Sequence, residues 1–326
     1  MCSAVNPKRL NCNLEKEIMV GRSDGKVALG AVGIWSMELK GAGRPRIQEA
    51  AAELESLGYP TLWLPGLDGS GTLDDLGHLL KATSRTRVAT GVLNIWSYEA
   101  PELATRVSEL QTAYGHRALT GLGIGAPAGA AAHGRTYGKP TQSMGEYLDA
   151  LDLSATPIAS GERLLGALGP RMVDLAVQRT AGWHPFLVPP RYVAAERERV
   201  GGTSFIAPHQ AVVLDADPER ARAAARAGIG MFLGFPTYRA NLVRLGYGDD
   251  DLVPGGSDRI IDDLVAWGDV ERVARRVREH LDAGADHVAL HVIPSAQDGQ
   301  KIDGLPLRQW RDLADLGLTV ASPSLG

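Results

Sequence analysis

From residue 26 onward, short apolar runs alternate with longer stretches whose apolar residues recur every three or four positions. The first kind reads as strand and the second as one buried face of a helix. Residues 27–35 are the first strand, and Ile47, Ala50, Ala51, Leu54 and Leu57 mark the helix that Gly58 stops. Residues 61–65 are the second strand, followed by Leu73, Leu76, Leu79 and Leu80. Residues 87–96 are the third; Pro101 then opens a helix, where its missing N–H costs nothing. That helix buries Leu103, Val107, Leu110 and Tyr114. Residues 118–125, 164–168, 181–183, 205–215 and 285–293 supply strands four to eight, with Pro208 making the seventh irregular at its start. Helices are expected near 143–153, from Gly169-Pro170, from Asp217-Pro218-Glu219, over Val270, Val273, Val277 and Leu281, and over 307–316.

Eight strand–helix units of this kind predict an α/β fold, a (β/α)8 TIM barrel with insertions. A doubly wound open sheet satisfies the same periodicity. Residues 126–140 read as a long loop and 231–259 as an irregular insertion with a helical piece. No long linker divides the chain, so residues 26–326 read as one barrel domain. Residues 1–25 are polar and read as a mobile tail or an over-long gene start, with Met19 as the initiator.

The chain has 326 residues, 22% of them charged, and a formal charge of −4 with acids and bases mixed, which argues against a nucleic-acid or anionic membrane surface. The arginines of 271–279 read as a solvated helix face. The only cysteines, Cys2 and Cys12, offer neither a disulfide framework nor a zinc-ligand spacing, so a reducing cytoplasm is expected and no metal. No run reaches the ~18 apolar residues of a membrane span. There is no His-Glu-x-x-His helix, no Walker loop and no nucleophile elbow at Gly69-Ser-Gly71.

The motif richest in meaning is Ala118-Leu-Thr-Gly-Leu-Gly-Ile-Gly125, a buried strand running into glycines. Backbone without side chains can approach a planar ring or a phosphate closely. The segment 121–128 half-matches a Rossmann fingerprint, yet an Ala/Gly/His loop follows instead of an immediate helix.

Several further motifs keep the same order and spacing as in a known family. They are Gly91-Val-Leu-Asn-Ile-Trp96 with Ala100-Pro101, Leu122-Gly-Ile-Gly125, Leu165-Gly-Ala-Leu-Gly-Pro-Arg171, Thr180-Ala-Gly-Trp-His184, Gly255-Gly-Ser-Asp258 and Leu281-Asp-Ala-Gly-Ala-Asp-His-Val288. Over roughly 27–293 the chain resembles the bacterial-luciferase-like superfamily of flavin and deazaflavin oxidoreductases. Within it, the chain is similar to the coenzyme F420-dependent subgroup. The resemblance implies a TIM barrel with the cofactor at the C-terminal ends of the strands, a small-molecule substrate and a homodimer. It implies a non-proline cis peptide at Gly91-Val92 under the deazaflavin ring, Gly123 and Gly125 beside the cofactor, and Gly169, Pro170 and Arg171 around its phosphate. The phosphate assignment also has a physical basis, because helix-start N–H groups and an arginine favour an anion. An ordinary αβ turn with a surface arginine is the competing reading. FMN in the same barrel, activating oxygen, is the alternative cofactor. A barrel that only binds a ligand is the third reading. Relatives place an acid or histidine just after strand two, where this chain has Leu64-Pro65-Gly66 and its first acid is Asp68.

Hydride transfer asks little of protein side chains beyond orienting the ring and excluding water. Trp35 and Trp96 suit a ring wall or plain packing. Asn94 suits the carbonyl edge of the ring or a cap on its own backbone. His133 and Tyr137, in the loop after strand four, and His184, at the end of strand six, are the catalytic candidates for donating a proton or orienting a substrate. His209 and His287 read as structural. His291, inside strand eight, has an inward direction open to it but reads as a core histidine.

Overall fold

The computed structural model describes residues 28–66, 71–295 and 304–315. The tail 1–25 with its two cysteines, Met19, Asp68 and the last residue of the 307–316 helix lie outside the described residues.

All strand pairs are parallel. In chain order the strands are β1 (Val32–Trp35), β2 (Thr61–Leu64), β3 (Arg87–Thr90), β4 (Leu93–Asn94), β5 (Ala118–Gly123), β6 (Arg163–Leu165), β7 (Gly182–Trp183), β8 (Phe205–Ile206), β9 (His209–Val213), β10 (Val265–Trp267) and β11 (Val288–Val292). The helices are α1 (Pro45–Ser56), α2 (Thr72–Ala82), α3 (Ala100–Tyr114), α4 (Pro127–Ala132), α5 (Pro140–Asp152), α6 (Pro170–Arg179), α7 (Pro190–Val200), α8 (Pro218–Leu233), α9 (Pro236–Arg244), α10 (Asp258–Leu264), α11 (Val270–Asp282) and α12 (Leu307–Ala314).

Two pairs of segments are single barrel strands with a break. Gly91-Val92, a cis peptide, separates β3 from β4. Ala207-Pro208 separates β8 from β9, where proline cannot donate to a ladder. The second break is where the sheet closes. On one side Phe205, Ala207 and His209 donate to Ala181, Trp183 and Pro185. On the other, the N–H groups of His287 and Ala289 reach the carbonyls of Ile206 and Pro208. Eight strands thus form a ring, and the open-sheet alternative falls.

Outside the ring lie α1, α2, α3, α5, α6, α7, α11 and α12. Their apolar faces are those expected: Ile47, Ala50, Ala51 and Leu54 on α1, and Leu73, Leu76, Leu79 and Leu80 on α2. Residues 126–140, read as loop, contain α4. The polar α7 buries only Tyr192 and Val193 and left no apolar period to read.

The insertion is larger than 231–259. It runs from the end of β9 to β10 and comprises α8, α9, α10 and a strand that pairs with Ala211, Val212 and Val213. Because side chains alternate between faces, Ala211 and Val213 share the inward face of His209, and Ile293 that of His291. Those three pack with Ile229 and Leu233 of α8 and Ile260 of α10. The outward residues Val212, Leu290 and Val292 pack instead with Val273 and Val277 of α11. Helix α8 therefore folds over the mouth of the barrel, and α11 is the outer helix of that unit.

Candidate active site

Inside the ring, large side chains occupy room that glycines leave. A Cβ on Gly33 would stand 2.9 Å from the His287 ring, and one on Gly91 would stand 2.9 Å from Trp35 Nε1 and 3.1 Å from Trp63. Trp63 is fully buried; its indole N–H donates to His287 Nε2 at 3.0 Å, and His287 Nδ1–H donates to the Gly30 carbonyl at 2.8 Å. Both nitrogens are satisfied, and this fixes a neutral tautomer. Burial pushes the His287 pKa down to about 4.

The residues named for a cofactor lie at the C-terminal ends of β1 to β6. Trp35 is 2% exposed, and its Nε1–H donates to the Gly91 carbonyl at 2.9 Å. The Gly91-Val92 bond is cis, as the resemblance implied. The glycines of the 118–125 motif make room for the protein's own side chains. A Cβ on Gly123 would lie 2.5 Å from Val92 Cγ2, and one on Gly121 only 2.1 Å from the Thr90 carbonyl. Gly125, at a φ of 59°, and Gly129 face Asn94. Asn94 Oδ1 accepts the N–H of Trp96, so this side chain caps its own turn. Trp96 sits at the rim, donating to the Ile124 carbonyl at 2.7 Å.

The three catalytic candidates are not brought together. His133 is exposed at the end of α4. Tyr137 is half-buried against Trp96 and donates to the Gly125 carbonyl at 3.3 Å; burial raises its pKa. His184 is inside the barrel, 2% exposed, stacked on Trp63 at 4.6 Å with Nδ1–H donating to the Ala207 carbonyl. Its Nε2 is buried without a partner, and burial lowers its pKa to about 4.

Across the rim, α6 begins at Gly169 with no side-chain cap and with Pro170 in its first turn. Arg171 is exposed and forms no ion pair among the described residues. Sequence reasoning missed a second cation here. Arg244, at the end of α9, lies 3.4 Å from where a Gly169 Cβ would stand, and among the described residues its guanidinium bonds only Asn241 Oδ1. No local pattern ties residues 169 and 244, because the insertion brings them together.

The sequence reading also missed a cluster under α8. Leu187, at a φ of 53°, holds a conformation that costs a non-glycine residue roughly 1–2 kcal/mol. It follows Phe186, whose ring stacks on His209 at 3.8 Å and meets Phe232 at 5.1 Å and Tyr238 at 5.9 Å.

A family model described as luciferase-like monooxygenase matches residues 31–162. The fold is that of the luciferase-like barrels. A relative in Mycobacterium tuberculosis, named "Putative coenzyme F420-dependent oxidoreductase Rv3520c", is 24% identical over 72% of this chain and 87% of its own. Among solved structures, this barrel is similar to an F420-dependent secondary alcohol dehydrogenase in complex with an F420–acetone adduct. The TM-score is 0.67 at 14% identity, covering 90% of this chain and 99% of the other. It is also similar to the oxygenating constituent of 3,6-diketocamphane monooxygenase from Pseudomonas putida in complex with FMN. There the TM-score is 0.62 at 13% identity, covering 90% and 98%. Among the described residues no helix is long and apolar enough to cross a membrane.

Proposed function

We propose that this barrel is an oxidoreductase that binds coenzyme F420 and moves a hydride between the deazaflavin and a small organic molecule. The observation that carries the reading is the arrival of Arg244 at Gly169, the start of α6 and two residues before Arg171, on the same rim as the Gly91-Val92 segment. Two guanidinium groups without carboxylate partners among the described residues, beside an uncapped helix start, fit a phosphate. Gly169 keeps that start open, since a side chain there would press on Arg244. The relative's name supports the deazaflavin.

When bound, the deazaflavin supplies the hydride chemistry at its own ring carbon. The chain's residues have narrower tasks. Trp35 holds the Gly91 carbonyl, Val92 fills the hollow over Gly123, and Arg171 and Arg244 balance the phosphate. The aromatic rings under α8 exclude water from the opposite side.

An FMN monooxygenase is the second reading, supported by the family model over 31–162 and the FMN-bound neighbour. Oxygen separates them, because a deazaflavin lacks the N5 that flavin oxygen chemistry uses. The test is to load the protein with each reduced cofactor and follow reoxidation by a panel of simple ketones, with and without air. Ketone-dependent reoxidation of reduced F420 that ignores air supports the proposal. Turnover only with FMN and air overturns it.

A further inference from the structure

Two histidines from adjacent strands meet under the α8 roof. His209, on β9, and His291, on β11, are joined at 3.1 Å between Nε2 of the first and Nδ1 of the second. His209 is 1% exposed and its Nδ1 has no hydrogen bond among the described residues; His291 is 5% exposed. Trp35 lies against both, with ring centroids 5.0 Å from His209 and 4.6 Å from His291.

The arrangement selects a tautomer. If His291 carried its hydrogen on Nδ1 and donated to His209, the His209 hydrogen would sit on Nδ1, whose approach to the residue's own carbonyl falls short of a hydrogen bond. Such a group gives up the hydration of a donor with little to replace it. If His209 Nε2–H donates instead, the sealed atom is a bare nitrogen and the unbonded hydrogen of the pair moves to the unsealed Nε2 of His291. His291 then carries its hydrogen on Nε2. That nitrogen has no hydrogen bond among the described residues and is not among the sealed polar atoms.

We propose that His291 Nε2–H orients the substrate by donating to its oxygen, and that His209 is a positioning residue that fixes this tautomer. The surrounding rings, Trp35, Phe186, Phe232 and Tyr238, specify an apolar substrate body. This supplies the polar group that the Leu64-Pro65-Gly66 segment lacks after β2. The assignment rests on the oxidoreductase reading of the same mouth.

The test is nitrogen NMR of the full-length protein with 15N-labelled histidine, using cyclohexanone as the apolar ketone probe, with and without F420. His291 is expected as the Nε2–H tautomer, with its Nε2 signal moving on ketone addition. His287, locked between Trp63 and Gly30, is the internal standard that stays still. His209→Ala is expected to admit the other His291 tautomer and weaken the ketone response severalfold. His209→Gln, which keeps a donor, is expected to restore both. An Nδ1–H form of His291 in the wild type overturns the proposal. So does a His291 signal indifferent to ketone up to its solubility limit, or a response equal in His209→Ala. Failure of F420 to bind alongside an intact His291 response would count against the cofactor reading alone.

Discussion

The indole nitrogen of Trp35 donates to the carbonyl oxygen of Gly91 across 2.9 Å, although 56 residues separate them in the chain. The bond ties the end of β1 to the break between β3 and β4. It also sets the direction of the peptide group that follows Gly91, on the wall where the deazaflavin ring is proposed to lie.

Replacing Trp35 with Phe keeps a ring in place but removes the donor. The buried Gly91 carbonyl then loses its partner, which costs about 1–3 kcal/mol. Urea unfolding should show that loss, and deazaflavin affinity should fall with it. Unchanged stability in Trp35→Phe would show that the bond carries no weight.

Gly121→Ala should be among the most damaging single-methyl changes in the chain. The new Cβ would stand 2.1 Å from the backbone carbonyl of Thr90, which cannot swing aside as a side-chain tip can. Overpacking of this kind costs ~1–3 kcal/mol, occasionally more. Gly145→Ala, in α5 with nothing within 4 Å of the added carbon, is the control and should be neutral or slightly stabilising. Thermal unfolding of the two variants side by side distinguishes a packing role for Gly121 from mere tolerance.

Stability should fall on mild acidification. Burial lowers the pKa of His184 and His287 to about 4, and of His280 and His291 to about 3. The unfolded chain takes up protons on these rings as pH drops below ~6.5, while the folded chain keeps them neutral. Their neutrality therefore costs nothing above that value. Below it the folded state loses ground, approaching about 1.4 kcal/mol per pH unit for each ring. The loss continues until the folded-state values are reached. Urea midpoints between pH 7 and pH 5, a range above the ordinary carboxylate titration, isolate the effect. A midpoint that does not move would mean that the rings are charged or solvated.

How much was legible follows from where the deciding contacts lie. Helix faces such as Leu73, Leu76, Leu79 and Leu80 are local and periodic, and the sequence shows them. Closure of the ring is not local: it rests on the carbonyls of Ile206 and Pro208 meeting the N–H groups of His287 and Ala289, some 80 residues away. The strand Val265–Trp267 is too short for a period and merges with the start of α11. The cis segment and the α6 start came from the resemblance and from helix-dipole physics. The glycines of 121–125 invited a ligand because Val92 and Asn94, which fill their space, belong to a neighbouring strand. His209 and His291 each read as ordinary core residues, since only the fold shows that they face one another.

The most direct test of the account is a fluorescence titration of the purified protein with coenzyme F420, repeated on the Arg171→Ala, Arg244→Ala double variant and, in parallel, with FMN. The account predicts micromolar binding of F420. In the double variant this should weaken by at least about tenfold, as loss of two charge-assisted phosphate contacts implies. F420 binding that ignores both arginines would contradict the phosphate site. FMN binding in its absence would contradict the deazaflavin reading itself.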